Sequence, residues 1–299
     1  MRVTQGMINR NLLQYLAGNF EQLAEIQEKL STGQRVNTVS DDPVAATQIL
    51  YLQRENERLT AYSNNIQDAK TMLRTATDSL QSTSETLVSV KELAVQAATG
   101  TYTDRERQSM AEGVDHLLQS LVNLANVQSR GLYVFSGEAT DTSPYQTVTD
   151  ASGTILAVEY QGAPLSTEVR VGPSSYAEAN LVGTEAFEGR GDIFATLVTL
   201  RDAIRSGDEE QIRAAMGDLE AGHADVTQSV GRLGERLNQT EILETTYERF
   251  RGINEETLSA TRDADIAELT VEYSSQTVLL EMVVQLAAQA AQPSLMDYI

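Results

Sequence analysis

The sequence predicts a mainly α-helical protein with a small β-rich insert, shaped as an elongated rod of long coiled-coil helices whose N- and C-terminal helices pair. Three observations support this fold class. A heptad repeat of apolar residues runs through residues 44–99, which contain neither Gly nor Pro. Both chain ends carry apolar residues at steps of three and four, the spacing of one helix face. Residues 137–191 alone change to short alternating segments rich in Gly and Pro, which are typical of strands and turns.

The first helix is predicted over residues 7–30. Its apolar stripe should pack against a partner helix, and Gly33 suits the left-handed cap that follows a helix C-terminus. The stripe consists of Ile8, Leu12, Tyr15, Asn19, Leu23, Ile26 and Leu30.

The second helix is predicted to begin at a strong start signal. Asp42 can accept backbone N–H bonds as the N-cap, and Pro43 fits the first helical position. A sevenfold spacing then favours a left-handed supercoil, with Leu52, Leu59, Ile66, Leu73, Leu80 and Leu87 on the seam. At 1.5 Å per residue this helix would be roughly 85 Å long. A compact sphere of this chain would measure only about 50 Å across, so the rod must be elongated.

A third helix and the β-rich insert should follow. Thr103 and Glu106 have the spacing of a capping box, and Leu132–Phe135 has the composition of a strand. Within the insert, residues 156–160 and 165–171 alternate in polarity, and the turn 161–164 predicts that they form one hairpin. Because helices precede and follow it, the insert is expected at the tip remote from the chain ends.

The chain is predicted to return as helix from Asp192 onward. Its last segment, which starts near Asp263, has a regular seam: Ile266, Leu269, Tyr273, Gln276, Leu280, Val283, Ala287 and Ala290. These elements divide the chain into three predicted domains: residues 1–41 with 263–299 as a terminal coiled coil, 42–136 with 192–262 as a helical rod, and 137–191 as the β-rich outer domain.

The composition excludes several functional classes. A formal net charge of −21 argues against nucleic acid and anionic membranes, because both need clustered Lys and Arg. The absence of Cys rules out disulfides and thiolate chemistry, and no stretch is apolar enough for membrane insertion. The two histidines, His116 and His223, lack metal-ligand or triad spacing, so we expect no enzyme, cofactor or metal site. The pairs Asp41–Asp42 and Asp263–Asp265 are interpreted as helix caps.

Several of these segments resemble a known family. Residues 30–37 with 40–46, Leu-Ser-Thr-Gly-Gln-Arg-Val-Asn and Ser-Asp-Asp-Pro-Val-Ala-Ala, resemble the N-terminal signature of the bacterial flagellin family. Residues 259–267, Ser-Ala-Thr-Arg-Asp-Ala-Asp-Ile-Ala, resemble its C-terminal signature. The Asp-Asp-Pro-Val-Ala form, the segment 131–137 and the ending 294–299 look like the members of the family that join hook to filament.

The resemblance implies a structural adaptor that polymerises at the hook–filament junction. It implies a secreted protein of the extracellular flagellum, exported unfolded by the flagellar type III system without a cleaved signal peptide. The implied partners are hook-associated protein 1, flagellin, copies of itself and a type III export chaperone. Two alternatives stay open: flagellin itself, the filament subunit, and a cytoplasmic coiled-coil scaffold.

The two terminal stripes supply the predicted assembly interface, and the second helix supplies a predicted cap. The interface residues are Ile8, Leu12, Tyr15, Leu23, Ile26, Leu30, Ile266, Leu269, Tyr273, Leu280, Val283 and Ala287. The cap residues are Asp42 and Pro43.

Overall fold

A computed structural model describes residues 5–99, 102–151 and 153–291. Within these ranges the chain is mainly helical with short strands, which confirms the predicted fold class. The helices are α1 (Gln5–Thr32), α2 (Pro43–Thr99), α3 (Asp104–Ala125), α4 (Gly183–Phe187), α5 (Ile193–Ser206), α6 (Glu209–Arg262) and α7 (Ile266–Ala291). The strands are β1 (Gln128–Ser129), β2 (Leu132–Tyr133), β3 (Tyr145–Thr149), β4 (Ile155–Tyr160), β5 (Glu168–Arg170) and β6 (Tyr176–Glu178).

The chain divides into two compact units. The end unit comprises the residues up to Arg58 together with those from Arg249 onward, and the bundle unit comprises Leu59–Glu248. Because α2 and α6 each extend across a unit boundary, each contributes residues to both units. The three-domain division at residues 41, 137, 191 and 263 stays a prediction.

The bundle unit is built on the heptad seam of α2. The seam residues from Leu59 to Leu87 are all at most 5% exposed, as the sevenfold spacing predicts. In the same unit α6 runs antiparallel to α2, because Lys91 pairs with Glu220 at 2.6 Å and Lys70 pairs with Glu244 at 2.8 Å. The predicted capping box is present at the start of α3, where the Thr103 N–H donates to Glu106 Oε2 at 2.8 Å.

The β-rich insert shares its core with these helices. The rings of Phe135 and Phe187 meet edge to face at 5.2 Å, and Tyr145 lies 4.8 Å from Phe194 of α5. From α5, the buried Arg201 donates from Nη1 to the Ile155 carbonyl of β4 at 2.6 Å. The insert and the helices of the bundle unit therefore form one continuous hydrophobic cluster.

The predicted hairpin inside the insert is wrong. The strand 155–160 pairs with β3, and the segment near 168–170 pairs with β6, each pair being antiparallel. The segment 161–164 therefore does not join two paired strands. Its Ala163 N–H instead donates to the Ser136 carbonyl at 2.9 Å. Alternating polarity identifies a strand but does not specify its partner, and this is why the prediction failed.

The predicted strand 132–135 is also shorter in the structure. Its ladder with β1 includes only Leu132 and Tyr133, across a two-residue turn in which Arg130 and Gly131 have positive φ angles of 52° and 83°. Two positive φ angles are the signature of a type I′ hairpin turn.

The insert does not occupy the tip of the bundle unit. The ends of α2, α3, α5 and α6 meet around a cleft that includes Thr99, Arg107 and Gly207. The insert contacts the opposite part of the unit, where Asn65 of α2 donates to the Arg170 carbonyl at 2.7 Å and Tyr247 of α6 donates to the Val171 carbonyl. The predicted tip position is therefore wrong, because helical periodicity does not specify where an insert folds back.

Candidate assembly interface

The two chain ends form a pair of helices within the end unit. Helices α1 and α7 pack against each other, as the matching stripes predict. Ile26 of α1 is 6% exposed. The seam residues that are only half-buried are Leu12, Leu16, Asn19, Leu23 and Leu30 on α1, and Leu269, Tyr273, Gln276, Leu280, Val283 and Ala287 on α7. Among the side chains of α7 that the structure describes, none is fully buried.

A polar layer crosses this seam. The Gln276 amide donates from Nε2 to Asn19 Oδ1 at 3.2 Å and to Gln22 Oε1 at 2.7 Å. Because these amide groups find partners only in one alignment of the two helices, the layer favours a single register.

Among the α1 side chains that the structure describes, the stripe differs from the predicted one at a single position. Tyr15 is 71% exposed, and Leu16 takes the seam position instead. The predicted spacing placed Tyr15 three residues after Leu12, whereas the helix alternates steps of four and three from Leu12 onward. On α7, Ile266 is 47% exposed and lies outside the seam. The side chains of Ile8 and Ala290 lie outside the described residues.

The outer faces of the pair carry several exposed large apolar side chains. On α7, Val271 is 71% exposed and Leu286 is 60% exposed, and on α1 the exposed fractions of Leu13 and Phe20 are 65% and 56%. The sequence of α7 contains three Glu and neither Lys nor Arg. We name these outward residues the outer face; a contact between the outer face or the seam and a neighbouring subunit stays a prediction.

The two signature segments meet at one place, which we name the joint and define as residues 33–46 with 258–265. Gly33, with φ of 71°, ends α1 and receives the Ala264 N–H on its carbonyl at 3.0 Å. Gln34 and Asp263 form an antiparallel bridge. A small apolar cluster contains Val36, Ala45, Ala46 and Ile49, and Leu258 packs against it.

Two aspartates organise the loop of the joint. Asp42 Oδ1 accepts the backbone N–H groups of Val44 and Ala45 at 3.1 and 3.0 Å, and α2 begins at Pro43. The Ala45 bond is the main reason that the pKa of Asp42 lies below its ordinary value. Asp41 accepts the Thr38 N–H at 2.8 Å, and this bond, with a second from the Thr38 hydroxyl, lowers the pKa of Asp41. Asp42 thus has the geometry of an N-cap, whereas Asp41 holds the loop backbone ahead of α2 and does not cap a helix, contrary to the prediction.

The described part of the chain shows neither a metal-binding cluster nor a bilayer-crossing helix. No group of three or more His, Asp or Glu residues converges there, and no helix combines the necessary length and hydropathy. His223 Nε2 lies 2.7 Å from Ser84 Oγ in the contact between α6 and α2, so this histidine has a packing partner.

Comparison with known proteins finds similarity to flagellar proteins. Residues 3–140 match the family model of the bacterial flagellin N-terminal helical region. The chain is 28% identical over 296 residues to the flagellar filament 30.7 kDa core protein of Treponema maltophilum, covering 95% of each chain. It is 27% identical over 150 residues to flagellar hook-associated protein 3 of Salmonella typhimurium, covering 50% of this chain and 47% of that relative. The chain thus aligns with about half the length of that second relative.

A solved structure shows the same fold. A flagellar hook-associated protein from Vibrio parahaemolyticus superposes with a TM-score of 0.65 at 23% identity, covering 75% of this chain and 100% of that one. Residues 3–140 thus match the bacterial flagellin N-terminal helical region, and the chain is similar both to a flagellar filament core protein and to hook-associated protein 3.

Proposed function

We propose that this chain is a non-enzymatic structural subunit of the bacterial flagellum that joins the hook to the filament. One observation carries the proposal: a pair of terminal helices with a thinly buried seam and an apolar outer face. A free subunit exposes Val271 and Leu286 to water. Burying such side chains against neighbours stabilises an assembly by about 1.5–3 kcal/mol for each fully buried residue.

The proposal includes partners and export. The paired ends would pack against copies of this chain, against hook-associated protein 1 on the hook side and against flagellin on the filament side. Before assembly, α7 would be held by a type III export chaperone, since its outer face needs a cover in the cytoplasm. The relatives named hook-associated protein 3, and the fold shared with a hook-associated protein, support this proposal.

A second candidate function is the filament subunit itself. It is favoured by the similarity to a filament core protein, which extends over 95% of both chains, whereas the match to hook-associated protein 3 covers about half. A cytoplasmic scaffold is the third reading, and it would require neither export nor an external assembly.

Deletion of the gene separates the three functions. For a junction protein we expect hooks of normal length in electron micrographs, no filaments, and filament protein released into the medium. For a filament subunit we expect bare hooks without released filament protein. Normal motile filaments would contradict both flagellar roles and would favour the scaffold.

The position of the chain along the flagellum provides an independent check. Antibody labelling of isolated flagella should show this chain at a narrow band between hook and filament. Labelling along the whole filament would contradict the junction role and support the second candidate.

A further inference from the structure

Arg35 makes contacts in the joint that connect two helix ends distant in sequence. Its guanidinium donates from Nη2 to the Thr261 carbonyl at 2.8 Å, and its Nη1 lies 3.5 Å from Asp42 Oδ2. Its backbone N–H donates to the Arg262 carbonyl at 2.7 Å. One residue of the loop after α1 thus contacts the last turn of α6 and the first turn of α2.

These contacts satisfy groups that a helix leaves without partners. The last four carbonyls of a helix find no N–H donor within the helix. Those of Thr261 and Arg262 are among them, because α6 ends at Arg262. Arg35 occupies both carbonyls and places a positive charge at the negative end of the helix dipole. Arg35 also pairs with Asp42, the N-cap of α2, so it links the C-cap of one long helix to the N-cap of the other.

The contacts are a reason to assign Arg35 a positioning role. The α1–α7 seam is half-buried along most of its described length, with Ile26 as its buried residue, so apolar packing specifies the register of the pair weakly, and the polar layer at Gln276 supports it at one level only. The joint supplies a fixed starting point: the Ala264 N–H, just before α7, donates to the carbonyl of Gly33, which directly follows α1.

We propose that Arg35 is the positioning residue of the joint: by capping α6 and tying that cap to the start of α2, it holds the two chain ends side by side so that α1 and α7 pair in one register. The planar guanidinium suits this task because it donates in two directions at once. Lysine would carry the charge but would offer only a compact ammonium group. This proposal concerns the fold of the joint and does not depend on the function proposed above.

The absence of Cys allows a direct test in the full-length chain. Gln34 and Asp263 form an antiparallel bridge, which places their Cα atoms about 4.5–5.5 Å apart, within the range of a disulfide. In the double variant Gln34→Cys with Asp263→Cys, the rate of intramolecular oxidation measures how often the joint closes. Hydrogen exchange at the amides of Val36 and Ala264, in the chain without cysteines, measures how often it opens.

The two measurements cover both possible states of the free chain. If the joint is mostly closed, Arg35→Ala should lower amide protection in the joint by roughly fivefold, in keeping with the loss of charge-assisted hydrogen bonds. If it is mostly open, the same substitution should slow disulfide formation by a similar factor. Arg35→Lys should recover less than half of either effect, on a logarithmic scale.

Arg251→Ala is the matched control. Arg251 is an arginine of the end unit that pairs with Glu255 at 3.4 Å on the surface of α6 and is not part of the joint. We expect this control to leave both measurements unchanged. If Arg35→Ala changes neither exchange nor oxidation by more than the control does, or if Arg35→Lys restores both fully, the positioning role is overturned.

Discussion

The bundle unit and the paired chain ends use the same kind of helix in opposite ways. In the bundle unit, α2 buries Leu73 and Leu80 completely in one cluster with residues of α3, α6 and the insert. In the end unit, the sequence of α7 is at least as apolar as that of α2, yet every side chain described on α7 keeps some exposure. The comparison shows that apolar content does not decide how deeply the side chains of a helix are buried. The number of neighbouring elements that cover the helix decides it.

The same difference extends to polar groups. The bundle unit contains buried charge, since Arg201 is 1% exposed, whereas the charged groups of the joint are mostly accessible to water. A buried charge is costly to leave unpaired, but an exposed ion pair contributes little. Five predictions test this contrast, beginning with the largest expected effect.

A matched pair of leucine substitutions gives the largest difference. Leu80→Ala in the bundle unit should lower the free energy of unfolding by about 3 kcal/mol or more, because it leaves a cavity at a fully buried position. Leu280→Ala in α7 should lower it by about 1 kcal/mol or less, since that side chain is half-exposed. Urea unfolding followed by circular dichroism measures both values. Equal losses for the two variants would contradict the contrast between the regions.

A pair of arginine substitutions tests buried against exposed charge inside the bundle unit. Arg201 donates to Asp115 at 2.9 Å and to Asp202 at 2.8 Å, so Arg201→Met should cost about 3 kcal/mol by leaving these groups and the Ile155 carbonyl without their donor. Arg205 lies 3.6 Å from Asp115 and is 38% exposed, and Arg205→Met should cost less than about 1 kcal/mol. The midpoint of urea unfolding distinguishes them. A larger loss for Arg205 would show that the buried network does not stabilise the insert.

Two glycines of the end unit should respond with opposite sign. Gly33 has a positive φ angle at the end of α1, so Gly33→Ala should destabilise the joint by about 1 kcal/mol. Gly18 lies inside α1 with open space around its Cα, so Gly18→Ala should stabilise that helix by about 0.5–1 kcal/mol. Hydrogen exchange of α1 amides measures both changes. Effects of the same sign would mean that the cap at Gly33 does not form.

The smallest effects should appear in the dependence of stability on pH. Burial raises the pKa of Glu188 in the bundle unit, and the charge of Asp192 raises it further. A raised pKa means that this group contributes stability below its unfolded-state pKa of 4.5 and that the contribution is lost as pH rises through the folded-state pKa. Glu188→Gln should therefore raise the melting temperature at pH 7 and leave it nearly unchanged near pH 3.5.

The joint should show the reverse dependence. The pKa of Asp41 is lowered by its bonds from Thr38, so its contribution is present above the unfolded-state pKa of 3.8 and is lost as pH falls through the lower folded-state pKa. The protection factor of the Thr38 amide, which is its intrinsic exchange rate at each pH divided by the observed rate, should fall in acid, and Asp41→Asn should weaken that acid dependence. If this protection factor instead rose in acid, the assignment of Asp41 as an ionised acceptor for the loop backbone would be wrong.

Much of this architecture was available from sequence spacing. The α2 seam, the start at Asp42 and Pro43, the capping box at Thr103 and the cap at Gly33 all depend on contacts within one helix or one turn. Such signals are local, so a linear pattern contains them. The pairing of α1 with α7 was also predictable, because each stripe lacked another partner of matching period.

The tertiary structure decided whatever depended on which distant segments meet. The partners of β4 and β5, the insert lying beside α2 at Asn65, and Leu16 in place of Tyr15 on the seam could not be deduced from alternation or periodicity. Arg35 is the clearest case: its contact with Thr261 spans 226 positions and follows no repeat. The sequence by itself determined the helices and their apolar stripes, because periodicity expresses local geometry. Only the folded chain determined the joint and the placement of the insert, because each results from a choice among many distant partners with similar local chemistry.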